Sequence, residues 1–320
     1  MVAIPAGLFE EARARVRPHV HHTPLLKSRL LNELTGFDVR LKAEVFQKTG
    51  SYKVRGPLNK FATLTEEQRQ AGVICSSAGN HAQGVAFAAA LYDIPAVVVM
   101  AENATPSKIE ATRAYGAQVV LHGTIWDEAN ERAKELVEQR GLTYIHPFDD
   151  IQLIGGQGTL GLEIWDDFPE AEVVIVPIGG GGLISGVSMA LKNQNPGIRI
   201  IGVESSGAPA MQRSIQAGYV VPLTEVDCNI DGLKVKRVGE TTFEIVNQFV
   251  EKIVTLPDSE IFGAMLWTMH YCKVLVEGAA AAPVAALLHG LIDAPPNTKI
   301  VCVLSGGNVN LDQLSGLTWN

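Results

Sequence analysis

The chain has 320 residues, enough for about two domains and an ample core. Charged residues make up 19% and hydrophobic residues 47%, a balance that excludes an intrinsically disordered chain. The net charge is −8 with no dense run of basic residues, which argues against nucleic acid and anionic membrane surfaces as partners.

The first stretch, MVAIPAGLFEEARARV, reaches charged residues within about ten positions and has no apolar core of the kind a secretory signal needs. Val39, Leu41, Ala43 and Val45 alternate with Asp38, Arg40, Lys42 and Glu44, the pattern of a half-exposed strand. A helical stretch begins near Tyr52. VICSS, PAVVVM, AQVVL and TYIHP then read as four short strands separated by three helices, a βαβαβαβ unit. After HPFDD the pattern restarts: a helix at GQGTLGLEIWDDF, a buried strand at EVVIVPI, a glycine run, another helix and the strand RIIGVE. The last third holds a helix from Thr241, the strand KIVTL, two long helices and the strand TKIVCVL, which runs into SGGN. The apolar stretches at 173–178 and 279–288 fall short of the roughly 20 residues that span a bilayer. No repeat or low-complexity linker interrupts the chain, so two lobes are expected to interleave: a larger one from residues 1–64 and 149–320, and a smaller α/β one from 65–148, with the ligand site in the cleft between them.

Three strand-to-helix loops could carry chemistry. Gly179, Gly180, Gly181 and Gly182 precede a helix starting near Leu183. A Cβ-free backbone followed by a helix N-terminus suits a phosphate, and the same run could instead be a tight turn. A dinucleotide reading also arises here, since Gly180, Gly182 and Gly186 open a helix and Glu204 lies near the acidic position of that fingerprint; Ser185, standing where the third glycine belongs, argues against it. In QKTGSYKVRG, Lys53 opens a helix just after Gly50 and Ser51. The positive end of a helix dipole disfavours an ammonium ion, so this amine is biased toward neutrality and nucleophilicity, a Schiff-base candidate. In CSSAGNHAQG, Ser76, Ser77, Asn80 and His81 gather hydroxyl, amide and backbone donors that suit a carboxylate, although Ser77 could be a simple helix cap.

Together these loops resemble the pyridoxal-phosphate enzymes of the tryptophan-synthase-β fold type, and most closely the serine/threonine dehydratase group. GSYKVRG is similar to the family's cofactor-lysine motif, SSAGNHAQG to its substrate-carboxylate loop, GGGGL to its phosphate cup and SGGN to the segment facing the pyridine nitrogen. The resemblance implies a two-domain α/β fold (fold type II), each domain a mostly parallel sheet flanked by helices, with pyridoxal 5'-phosphate as cofactor. It further implies that Lys53 links covalently to the cofactor, Tyr52 flanks the ring and Asn80 bonds the ring hydroxyl. Gly179, Gly180, Gly181, Gly182 and Leu183 would hold the phosphate and Ser305 would face the pyridine nitrogen. Ser77, Ala78, Asn80 and His81 would form the carboxylate loop.

A serine at the pyridine nitrogen makes the cofactor a weaker electron sink than a carboxylate would, which favours β-elimination over transamination. The expected sequence has the substrate amine displace Lys53, the freed lysine take the Cα proton, and the β-hydroxyl leave with the cofactor phosphate as acid. The released product then hydrolyses to a 2-oxo acid and ammonia. Threonine and serine are the expected substrates, with 3-hydroxyaspartate or phenylserine as alternatives on the same scaffold. An NAD-dependent oxidoreductase or a non-catalytic binding protein would be a reading of another class.

Departures from the family pattern sharpen this. Racemases of the group have SSGN, whose second serine is the opposite-face acid; here that residue is Ala78, so dehydration without racemisation is expected. Metal-dependent relatives place an aspartate six residues after the glutamate aligned with Glu204; here it is Ala210, and no metal is expected. Glu277 in VEGAAAA is either a cofactor-side acid or a helix cap, and Asp231 and Gly232 resemble a segment behind the ring. The chain ends soon after Ser305, so no isoleucine-sensing regulatory domain is expected. Cys75, Cys228, Cys272 and Cys302 are far apart and lack metal-ligand spacing, as reduced thiols of a cytoplasmic protein would be. A small amino acid as substrate and a homodimer or homotetramer complete the expectation.

Overall fold

A computed structural model describes residues 4–310 and 314; residues 1–3, 311–313 and 315–320, the ends of the expected larger lobe, lie outside the described residues. Among the described residues, ten strands build two sheets: β1 (Leu25–Lys27), β2 (Asp38–Ala43), β3 (Val73–Ser76), β4 (Ala96–Met100), β5 (Gln118–Leu121), β6 (Thr143–Tyr144), β7 (Val173–Pro177), β8 (Arg199–Ser205), β9 (Lys252–Leu256) and β10 (Lys299–Leu304). The six-stranded sheet runs β1-β2-β10-β7-β8-β9 and the four-stranded sheet β5-β4-β3-β6. Every pairing is parallel except β1 with β2. β7 is buried along its whole length and β10 at all but its first residue, because helices cover both faces of the sheet there; hence their nearly unbroken apolar runs.

β2 departs from the expected half-exposed strand. Arg40, Lys42 and the following Glu44 are buried together with Val39 and Leu41. Their charges pair inside the protein instead of facing water. Lys42 Nζ donates to Thr23 O at 2.7 Å and lies 2.9 Å from Glu163 Oε2. Arg55, fully buried, bonds Glu44 through Nε and Nη2 and Glu163 through Nη1 and Nη2. This network ties β2 to the helices Arg55–Ala62 and Ile151–Asp167, and it begins two residues beyond Lys53. The helix expected at GQGTLGLEIWDDF starts earlier, at Ile151, because Asp150 caps it by accepting from Gln152 N and Leu153 N. No described helix is long and apolar enough to cross a membrane.

Candidate active site

Lys53 sits in the tight turn Tyr52–Val54, which runs directly into Arg55–Ala62. The turn is clamped from the end of β10: Tyr52 N donates to Ser305 O at 3.0 Å, and Ser51 bridges Gly306. Lys53 Nζ donates to Pro147 O at 2.8 Å and lies 5.5 Å from the Tyr52 ring centroid. Burial pulls the lysine down to about 8, and the Glu277 carboxylate partly opposes this. An amine lowered that far holds a minority neutral fraction at physiological pH, far larger than that of an ordinary lysine, and it is the neutral form that attacks an aldehyde.

The glycine run follows β7. Gly181, at φ +94, turns the chain into the helix Gly182–Gln194, and a Cβ on Gly180 would overlap the Phe148 ring. Thr242 Oγ1 donates to Gly180 O at 2.8 Å. Asp149 in turn accepts from Glu240 N at 3.1 Å and Thr242 N at 3.2 Å, at the start of the helix Glu240–Phe249. Leu183 is buried just inside the helix. Gly232 O stands where a Cβ of Gly179 would go, so the segment behind the expected ring position closes on the cup.

Residues 146–149 therefore support two parts of the site at once, and the strand expected at TYIHP stops at Tyr144, leaving His146 and Pro147 in a turn. Pro147 O holds the lysine, Phe148 abuts the glycine loop and Asp149 caps a helix. His146 Nδ1 organises the turn by accepting from Phe148 N at 3.2 Å and Asp149 N at 2.8 Å. Burial lowers the His146 pKa, which keeps the ring neutral and able to accept. The only available sequence signal was HPFDD itself, a His-Pro turn after a strand.

The third loop leaves β3 at Ser76 and enters the helix Asn80–Tyr92. Gly79, not Ser77, holds the N-cap position; Ser77 Oγ instead accepts from Gly79 N at 3.2 Å. The His81 ring turns away from the loop, with Nε2 3.1 Å from Ile145 O, and burial drives it down to about 3, so it is neutral. What His81 offers the loop is its backbone N–H at a helix start. Ala78 presents only a methyl group. Asn80 Nδ2 donates to Glu277 Oε1 at 2.8 Å. The helix-cap reading of Glu277 is set aside: the residue occupies the N-cap position of the helix Gly278–Leu288 but makes no side-chain cap, and its carboxylate faces Asn80. Burial raises its pKa. Ser305 is buried at the end of β10, and Asp231 extends outward to Lys108 Nζ at 2.7 Å. The lysine turn and the carboxylate loop thus each contact the segment that begins at Ser305, and the glycine run reaches the lysine through Pro147 and Phe148.

The pyridoxal-phosphate-dependent enzyme model matches residues 16–306. The chain belongs to this family. It is 46% identical over 306 residues to an L-threonine ammonia-lyase of Thermotoga maritima, covering 96% of this chain and 76% of the relative. It is 45% identical to an L-threonine dehydratase, catabolic TdcB, of Staphylococcus aureus, covering 98% and 92%. Maize serine racemase superposes with a TM-score of 0.94 at 37% identity, covering 98% of this chain and 97% of that one. The processed threonine deaminase isoform 2 of Solanum lycopersicum gives 0.94 at 36%, covering 99% and 94%. The two-sheet α/β architecture is fold type II of these enzymes.

The residues present fit the cofactor. A buried lysine of lowered basicity suits its aldehyde, and a glycine run at a helix N-terminus suits its phosphate dianion. The Asn80 amide suits its ring hydroxyl, and an uncharged serine suits its pyridine nitrogen. Two hydroxyls beside the lysine turn, Thr49 Oγ1 and Ser51 Oγ, are buried without a partner among the described residues, as expected where a polar ligand completes a site.

Proposed function

We propose that this enzyme eliminates water from L-threonine and L-serine, giving 2-oxobutanoate or pyruvate together with ammonia. The names of the Thermotoga and Staphylococcus relatives support the substrate class. The observation that carries the chemistry is the buried Lys53 amine, held at Pro147 O and lowered to about 8. Bound pyridoxal phosphate supplies the electron-withdrawing ring that acidifies the Cα proton of a linked amino acid. Lys53 Nζ would anchor the aldehyde and, once displaced, take that proton. The backbone N–H groups of Ala78, Asn80 and His81 would hold the substrate carboxylate, since those of Ser77 and Gly79 are taken by Val99 O and Ser77 Oγ, and Gly179, Gly180, Gly181 and Gly182 would hold the phosphate. The neutral Ser305 hydroxyl would face the ring nitrogen without charging it.

The test is 2-oxo acid release from the loaded enzyme, with L-threonine, L-serine and 3-hydroxyaspartate in parallel, and with Lys53→Ala as the control. A dominant threonine signal that Lys53→Ala abolishes supports the proposal; turnover confined to hydroxyaspartate, or silence with all three, rejects it. The same reading places the enzyme in the cytoplasm as a homodimer or homotetramer, which light scattering of the purified chain checks. It divides the chain into a domain of residues 1–64 and 149–320 and one of 65–148, a division supported by the two separate sheets.

A further inference from the structure

We propose that Asn308 is a positioning residue that fixes which end of the Asn80 amide faces the cofactor site, leaving one Asn80 N–H for the ring hydroxyl. The proposal rests on the pyridoxal-phosphate reading above. Asn308 Nδ2 donates to Thr49 O at 2.7 Å and to Asn80 Oδ1 at 2.8 Å, while Asn80 Nδ2 donates to Glu277 Oε1 at 2.8 Å. A backbone carbonyl can only accept, so Thr49 O dictates that Asn308 turns its NH2 end toward it. That nitrogen carries two hydrogens, and the second goes to Asn80 Oδ1. Were Asn80 turned over, its NH2 would face the NH2 of Asn308, donor against donor. The orientation of Asn80 is therefore set by a main-chain carbonyl relayed through Asn308, whatever the protonation state of Glu277. Asn80 Nδ2 gives one hydrogen to Glu277 and keeps the other.

The local backbone is shaped for this relay. Thr49 lies at φ 63, ψ 9, a left-handed conformation that β-branched residues rarely adopt, and Gly50 follows at φ 70. A Cβ on Gly50 would overlap the Asn308 amide. Gly307 N donates to Gly50 O at 2.9 Å, pinning the segment that bears Asn308 to the same turn.

The experiment is a titration of apo-protein with pyridoxal phosphate, followed by the absorbance of the bound cofactor, for wild type, Asn80→Ala, Asn308→Asp and the double variant. Asn308→Asp keeps the shape but sets acceptors against Thr49 O and Asn80 Oδ1. Each single substitution is expected to weaken cofactor binding by about tenfold or more. The double variant is expected to bind no more weakly than Asn80→Ala alone, because Asn308 acts through Asn80. The pH at which the bound cofactor changes its spectrum should move in the same direction in both single variants. Losses that multiply, or wild-type affinity in Asn308→Asp, overturn the proposal. If Asn308→Asp does not fold, the cycle is run with Asn308→Ala, which adds no charge, and the same two outcomes decide. A wild-type chain that takes up no pyridoxal phosphate overturns the family reading with it, whereas wild-type uptake with multiplying losses overturns the Asn308 relay alone.

Discussion

Glu277 Oε1 accepts from Asn80 Nδ2 at 2.8 Å, and the same carboxylate is the charge that raises the Lys53 amine against the pull of burial. One acid thus links the residue expected to read the cofactor's ring hydroxyl to the residue expected to bind its aldehyde.

A pH dependence follows. Only the neutral amine attacks an aldehyde, and Lys53 has been lowered to about 8, so the rate of cofactor uptake by apo-protein should rise as pH passes upward through about 8. Glu277→Gln keeps an acceptor for Asn80 and removes the charge, so the midpoint should fall below 8. Rapid-mixing absorbance between about pH 6 and pH 10 measures it; an unmoved midpoint would separate Glu277 from the lysine.

Serine racemases share this fold closely, and residue 78 is where this chain is expected to part from them. With a methyl group in place of a second proton carrier, the wild-type enzyme should form no D-serine from L-serine. Ala78→Ser should introduce measurable D-serine while keeping dehydration within about tenfold. Chiral chromatography of the reaction mixture reads both. Steady D-serine production by the wild type would show that another group protonates the opposite face.

Arg55 is fully buried between Glu44 and Glu163. Arg55→Met leaves both carboxylates without their shared partner, and removing one side of a buried pair costs about 3 to 5 kcal/mol. Urea denaturation of the apo-protein should show a loss of that order. A loss below about 1 kcal/mol, the level of an exposed ion pair, would mean the network is dispensable.

Metal removal should leave activity intact. Glu204 has both carboxylate oxygens engaged, at 2.8 Å from Met211 N and 2.8 Å from Gln212 N, and Ala210 offers no second carboxylate. Full turnover in excess chelator is expected; a loss that magnesium reverses would reassign Glu204 as a ligand.

β7 and β10 were legible because strands covered on both faces become continuous apolar runs, and the three loops because glycine and small polar residues at strand-to-helix junctions have few other uses. β2 was misread because alternation alone cannot tell a charge facing water from one facing a buried partner, and Lys42 and Arg40 have inward company. Residues 146–149 were missed because Pro147 works through its carbonyl and His146 as an acceptor, roles that leave no trace in residue type. Asn308 lies inside the SGGN motif, yet its partners Thr49 and Asn80 are far away in sequence, so only the fold brings them together.

The Lys108–Asp231 pair joins the helix Pro106–Ala114, beside the four-stranded sheet, to the segment behind Gly232. Asp231 is largely solvent-exposed, so water and salt screen the attraction and its worth is about 0 to 1 kcal/mol. Such a tie parts and re-forms with thermal motion, a hasp on the cleft rather than a bolt. Ionic strength then becomes a kinetic variable: added salt should alter how fast small molecules enter and leave, while cofactor affinity, expected to rest on buried groups, should change little.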